Sequence, residues 1–305
     1  MEDNKAKHCF LILHYGYSDL TINAIESILK LRCDCTVVIV DNGTSGGFVT
    51  INSKYENNNN IVILRSDKNL GFSKGNNLGF SYIKENLDVD FLTVINNDIV
   101  ISNVEYCQLL EKHYHNTPFY IAGPDIYVPK EFEHTNPMHY RILSIDDMNE
   151  KIRKSQTRIE RYNKHISSYV LKEYIKEKNW PINKLYFSLK NKKVNDKWMS
   201  EYRNDIVLQG SCLIFDRRFI EKNSKLFEPE VFLYCEEHFL SARCKKNGWD
   251  MVYIPEIQVL HMHRGSSNLR KLTYAQFCKR KTYMEKEMIK SQKLYIEYLQ
   301  GLDDR

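Results

Sequence analysis

No apolar stretch in this 305-residue chain approaches the roughly 18 residues that a bilayer-spanning helix needs. The opening Met1-Glu2-Asp3-Asn4-Lys5 lacks the basic-then-apolar layout of a signal peptide, so a cytosolic location is the expectation. The eight cysteines, Cys9, Cys33, Cys35, Cys107, Cys212, Cys235, Cys244 and Cys278, include no C-x-x-C pair. Several lie inside apolar runs, which predicts reduced core thiols rather than a disulfide framework. No compact basic module for DNA or RNA is present, and a net charge of +5 is only mildly basic. Nucleic acid is therefore set aside as a partner. Leu13-His14-Tyr15-Gly16, after the first apolar run, does not supply the G-x-G-x-x-G turn of a nicotinamide-dependent oxidoreductase.

The composition that remains, 27% charged and 42% hydrophobic, is that of a soluble globular protein. The chain is long enough for one large domain or two small ones. The most informative stretch runs from Ile61 to Ile101. Ile61 to Leu64 has the length and branching of a buried strand. A loop with Gly71, Gly75 and Gly79 is expected next, leading into a helix that ends near Asn86. A second apolar run, Phe91 to Ile95, stops at Asn96-Asn97-Asp98. This strand, loop, helix and strand predict a βαβ unit with its chemistry at the strand's carboxyl end, where open α/β sheets place ligands.

Cys9 to Leu13 and Thr36 to Val40 read as two further strands, apolar throughout, as in a parallel sheet covered on both faces. Between them Ser18 or Asp19 is expected to cap a helix bearing Leu20, Ala24, Ile28 and Leu31. Asp41-Asn42-Gly43 closes the second strand, and Asn57 to Asn60 reads as a surface loop. A helix through Leu109 and Leu110 follows, then a strand and turn over Tyr120–Asp125. From about 130 to 204 the spacing of Ile145, Met148, Ile152, Ile159, Tyr162, Ile166 and Tyr169 predicts amphipathic helices. That segment is either a helical insertion packed on the core or an acceptor- or partner-binding subdomain. Ile206 to Phe215 reads as a strand with Gly210-Ser211 in its middle. Phe239, Leu240, Ala242 and Cys244 mark the packing side of a helix, with Gly248 as its C-cap and Glu236 and Glu237 at its N-terminus. Met251 to Ile254 is a strand and Pro255-Glu256 a turn. Leu272 to Tyr298 reads as a basic amphipathic helix, packed on the body or docked on an anionic membrane surface.

Five segments carry a family resemblance. NLGFSKGNNLGF resembles the N-x-G-x-x-x-x-x-N-x-G segment of family 2 glycosyltransferases. VVIVDNGTSGG is similar to their V-V-D-N-x-S segment. FLYCEEHFLSARCKKNGW is similar to F-x-Y-x-E-D-x-D-L-x-x-R-x-x-x-x-G-W, with Glu237 in place of an Asp and Phe239 at a later Asp position. Val259-Leu260-His261 ends a P-E-x-x-V-x-H segment. Asn96-Asn97-Asp98 falls where the family carries its DxD-type motif, with Asn for the first Asp, as in rhamnosyltransferase-like members. The resemblance covers about residues 8–110 and 206–267.

The resemblance implies an α/β, GT-A-like (Rossmann-like) fold, a mostly parallel sheet flanked by helices, with a helical insertion and a C-terminal helix. Residues 1–272 would form the glycosyltransferase domain and 273–305 the C-terminal helix. Within the domain, about 1–110 would be the nucleotide-sugar half, about 130–204 the insertion and about 205–272 the acceptor half. The implied activity is inverting, metal-assisted transfer from a nucleoside diphosphate donor (dTDP-rhamnose or a UDP-hexose) to an acceptor hydroxyl. The pathway implied is bacterial capsule, O-antigen or cell-wall polysaccharide synthesis, with a saccharide or lipid-linked saccharide acceptor at the inner membrane face. Glu237 would be the general base with Glu236 supporting it. The donor would meet Asp41, Asn42, Asn69, Gly71, Lys74, Asn77, Asn96, Asn97, Asp98 and Arg264; Ser266 and Ser267 are further diphosphate candidates. Gly210 and Ser211 would face the acceptor. Asp98 and His261, with His263 two residues on, would hold Mn²⁺ or Mg²⁺. Peripheral membrane contact and a homodimer are left open, and a non-catalytic sugar-nucleotide binder or scaffold is the alternative reading.

Overall fold

The computed structural model describes residues 6–44, 48–164, 168–178, 196–262 and 272–303. The apolar runs become β1 (His8–His14), β2 (Cys35–Asn42), β3 (Ile61–Ser66) and β4 (Phe91–Asn96), all paired in parallel in the order β3-β2-β1-β4. Past β4 the sheet continues through β9 (Cys212–Asp216), β6 (Ile121–Val128), β10 (Met251–His261) and β5 (Ile99–Val100). β9 runs antiparallel to both neighbours, and β6 and β10 are parallel to each other. Short strands β7 (Glu133–His134) and β8 (Tyr202–Arg203) pair with β6 and β10.

Period-two alternation explains why whole strands are apolar. Phe10, Ile12, Val37 and Ile39 face helices α1 (Ser18–Ile28), α2 (Phe48–Tyr55) and α4 (Tyr106–Asn116). Cys9, Leu11, Val38 and Val40 face α3 (Gly71–Asn86), α7 (Arg217–Lys222) and α8 (Glu236–Asn247). Helices α5 (Ile145–Lys164) and α6 (Ser168–Lys178) fulfil the amphipathic pattern, and α9 (Tyr274–Asp303) is the C-terminal helix. α9 is packed on the body: Tyr295 is buried with Met148 and Phe239, and Phe277 with Tyr162 and Val170. Arg158 clamps Glu285 across α5 and α9 at 2.8 and 3.0 Å. Among the described residues no helix is long and apolar enough to cross a membrane.

Several local expectations are corrected. Gly71 starts α3, and Gly75 and Gly79 lie within it, so the glycine segment is a helix face and not a loop. A Cβ on Gly79 would come within 2.3 Å of Leu11 Cδ1 and 2.9 Å of Val40 Cγ2, so the glycines serve close helix–sheet packing. α1 begins at Ser18 with Tyr17 at the cap position and no side-chain cap, which leaves neither Ser18 nor Asp19 in that role. β6 runs on through Pro124-Asp125 to Val128 where a turn was expected. Gly210-Ser211 form a turn ahead of β9 and not a strand centre. Pro255-Glu256 sit in an irregularity of a continuous β10, where the register shifts between Ile254 and Gln258. Cys33 and Cys107 are joined as a disulfide (S–S 2.21 Å), while the other six cysteines are buried and free. A pairing across 74 residues has no local spacing from which it could be read.

Gly71 joins two of the sequence motifs. Its φ of +80° is left-handed, and an added Cβ would lie 2.4 Å from the Phe232 carbonyl oxygen. That same carbonyl accepts from Phe72 N–H at 2.8 Å. Gly71→Ala adds left-handed strain, about 1–2 kcal/mol, to overpacking of about 1–3 kcal/mol. Urea denaturation of this variant is expected to show a loss of about 2–5 kcal/mol. A change below about 0.5 kcal/mol would mean that the 232 loop is free to move.

Candidate active site

The carboxyl ends of β1, β2 and β4 form one side of the site. Asp41 is fully buried at the end of β2; its Oδ1 accepts from Thr44 N–H at 3.0 Å. Its Oδ2 has no hydrogen-bond partner among the described residues, with Arg65 Nε 3.5 Å away. A buried carboxylate oxygen without a donor is destabilising by about 1–3 kcal/mol, so a ligand N–H there would be favoured. Asn42 is engaged inside the fold: its Nδ2 donates to Asn69 Oδ1 and to the Gly71 carbonyl, and its Oδ1 accepts from Leu70 N–H. Asn69 Oδ1 also accepts from Gly71 N–H. Lys74 is exposed.

Asn77 differs from expectation. Its Nδ2 donates to the Phe227 carbonyl and Glu230 Oε1, and its Oδ1 accepts from Leu226 and Phe227 N–H. All four of its hydrogen-bonding positions are taken, so it ties α3 to the 226–230 segment and has none left for a donor. Asn97 donates to Thr21 Oγ1 at 3.1 Å, and the same hydroxyl lies 2.6 Å from His14 Nδ1. Arg264, with His263, Ser266 and Ser267, lies outside the described residues.

Asp98 and His261 are 163 positions apart in sequence and meet at 3.1 Å, Oδ2 to Nε2. They are 7% and 6% exposed, and His261 Nδ1 has no partner among the described residues. Met262 N–H donates to the Asp98 carbonyl and holds the two segments together. One carboxylate and one imidazole suit a divalent cation whose other ligands are phosphate oxygens and water. Among the described residues no cluster of three or more His, Cys, Asp and Glu side chains could hold a metal by itself. The pair therefore fits a cation shared with a bound diphosphate.

A cavity of about 320 Å³ adjoins this pair and is lined by Asn96, Gly210, Ser211, Glu236, Glu237 and His261. Tyr234 and Cys235, at φ +73° and +68°, turn the chain into α8 so that both glutamates stand in its first turn. Free N–H groups at a helix N-terminus favour carboxylate charge there. Glu237 Oε1 accepts from Gly210 N–H at 3.1 Å. A Cβ on Gly210 would sit 2.5 Å from that oxygen. Gly210 thus supports Glu237, where the resemblance implied an acceptor contact. Ser211 Oγ is buried at the cavity with no partner among the described residues.

Burial, followed by the Glu237 charge, pushes the Glu236 carboxyl well above the ordinary range. Burial also raises Glu237, against the opposing pull of the Gly210 N–H. Glu236 Oε1 has no donor among the described residues, so a single proton shared by the pair belongs on Glu236. Glu237 is then the carboxylate available to take a proton.

The remaining cavity wall carried no signal in the sequence. His139, Met148 and Lys151 reach it from the 130–204 segment, His238 from α8, and Met288 and Gln292 from α9. No motif marks them, because they come from four separate stretches. Only the amphipathic pattern of α5 hinted that this segment packs anywhere in particular.

The family whose sequence model matches is described as glycosyl transferase family 2, over residues 9–222. Among solved structures, S. aureus TarS 1-349 in complex with UDP-GlcNAc matches with a TM-score of 0.54 at 12% identity. That match covers 96% of this chain and 71% of the other. The same fragment in complex with UDP matches with a TM-score of 0.52 at 11% identity, covering 96% and 70%. A structure of S. aureus TarS matches at 0.52 and 12% identity, covering 84% of this chain and 37% of that one. The chain spans 60% of TarS 1-349 in a further match. At such identity the likeness is one of fold. No curated protein matches the chain.

Proposed function

The chain belongs to glycosyl transferase family 2, and from that premise we propose that it moves a sugar from a nucleoside diphosphate donor to an acceptor hydroxyl with inversion. The carrying observation is that Glu237 and His261, the partner of Asp98, face one cavity from different elements. In a single displacement the acceptor oxygen bonds to the anomeric carbon as the bond to the diphosphate oxygen breaks. Glu237 takes the hydroxyl proton, since an alcohol is a weak nucleophile near neutral pH. Asp41 receives the donor's base through Oδ2, which no hydrogen bond occupies among the described residues, and Asp98 and His261 stand at the diphosphate. Mn²⁺ or Mg²⁺ held there would supply charge neutralisation of the leaving diphosphate.

UDP-hexoses are the first donors to test, because the fold neighbour TarS was solved with UDP-GlcNAc; dTDP-rhamnose is the second. The 130–204 segment supplies His139, Met148 and Lys151 on the Glu237 side, which supports a role in acceptor selection. The product class we propose is a bacterial capsule, O-antigen or cell-wall polysaccharide. Calorimetry with UDP is the direct test. Asp41→Ala is expected to weaken UDP at least tenfold, about 1.4 kcal/mol. Unchanged affinity in the folded variant would remove Asp41 from the donor site, and no nucleoside diphosphate binding by the wild type would remove the proposal.

A further inference from the structure

We propose that the acceptor carries an oxyanion, a phosphoryl or carboxylate group, which Lys151, His238 and His139 hold at the end of the cavity beside Glu237. The inference rests on the glycosyl-transfer reading and adds the chemical class of the acceptor.

Three cationic or N–H-bearing side chains converge there from separate elements. Lys151 comes from α5, His238 from the first turn of α8, and His139 from the connection preceding α5. The rings of His139 and His238 lie 5.5 Å apart. His139 is fixed through its backbone, whose carbonyl accepts from Val207 N–H at 2.8 Å.

His238 is 6% exposed, lines the cavity, and has no hydrogen-bond partner for either ring nitrogen among the described residues. Whichever tautomer it adopts, one buried N–H donor is left unsatisfied, and a ligand acceptor would complete it. Lys151 is half-buried and presents only donors. The Asp147 carboxylate that lies toward it is engaged by Arg141 at 2.6 and 2.7 Å. Of the acidic pair nearby, Glu236 is pushed by burial toward its neutral form, and the Glu237 carboxylate is engaged by the Gly210 N–H. Met138, Met148 and Met288 line the same cavity, and an apolar wall strengthens attraction between opposite charges.

Burial and then the neighbouring cations depress both imidazoles, His238 to about 3 and His139 to about 4. Both rings are therefore neutral at pH 7 and supply N–H donors; burial lowers the Lys151 pKa, and an oxyanion beside it would favour the charged ammonium. A neutral sugar would bring that ammonium no counter-charge of its own. The pair suited to the donor diphosphate, Asp98 and His261, comes from the segment after β4 and the end of β10, which supply none of these three groups.

The test titrates the full chain, saturated with UDP and Mn²⁺, with glycerol 1-phosphate, glucuronate, glycerol and glucose. At least one anion is expected to bind tenfold or more tightly than its neutral analogue. Glycerol 1-phosphate alone would identify a phosphoryl acceptor, and glucuronate alone a carboxylate one. Lys151→Met should lose at least tenfold of that affinity with UDP binding unchanged within twofold, and Lys151→Arg should retain it. Equal binding of neutral and anionic probes, or full anion affinity in a folded Lys151→Met, overturns the proposal. Loss of anion binding on UDP saturation also overturns it, because the probe would then report the diphosphate site. A wild type that binds anions but no nucleoside diphosphate fails the glycosyl-transfer reading separately.

Discussion

Glu237→Gln is expected to lose about 10² to 10⁴ of the transfer rate while donor affinity stays within about twofold. The amide preserves shape and can still meet Gly210 N–H through its oxygen, so the fold of the cavity should survive. What it removes is the proton acceptor. Donor binding in the ground state does not use that group, so the loss should fall on turnover. Glu236→Gln is the control: burial pushes the Glu236 carboxyl toward its neutral form, which the amide mimics, so activity should fall far less. A Glu237→Gln variant with normal turnover beside an inactive Glu236→Gln would transfer the role to Glu236, and full activity in both would end the mechanism.

The same pair sets the pH dependence. The base must be ionised, and burial raises Glu237, so the acid limb of the rate profile should lie above the ordinary glutamate range. Activity is present above the raised pKa and lost as pH falls through it. Stability has the opposite sign. With folded pKa values above the unfolded ones, the pair's stabilising contribution is fully present below the unfolded glutamate pKa. It is lost as pH rises through the folded values. Glu236→Gln should therefore melt with a flatter pH dependence than wild type above the ordinary glutamate range.

Asp98→Ala and His261→Ala should each weaken Mn²⁺ at least tenfold, about 1.4 kcal/mol, when UDP is present. Calorimetric Mn²⁺ titration reads this without any need for the acceptor. Without UDP, wild type should itself bind Mn²⁺ weakly, because two protein ligands leave most of the coordination to phosphate and water. The 3.1 Å contact predicts one further effect: His261→Ala leaves buried Asp98 without the imidazole that faces it. That variant should lose stability as well as metal affinity, by about 1–3 kcal/mol. Unaltered Mn²⁺ affinity in both variants would exclude the pair as ligands.

The strands β1 to β4, the acids at their carboxyl ends, the helix over Glu236–Asn247 and the amphipathic α5 were legible in the chain itself. Each rests on a short-range signal: an apolar run, a period, a cap at Gly248. Those signals operate within one element, where residue order and local geometry are nearly the same information. Tertiary structure alone decided the rest. Gly75 and Gly79 read as loop residues until a sheet is placed against them, since only close approach of Leu13 to the first, and of Leu11 and Val40 to the second, explains the missing side chains. Asn77 resembled a donor ligand but is consumed by the 226–230 backbone, some 150 positions away. Cys33 and Cys107 met across 74 positions, and His139, Lys151 and His238 across nearly a hundred. Chain order fixes which element a residue joins; which groups face each other depends on how whole faces pack, and no local period encodes that.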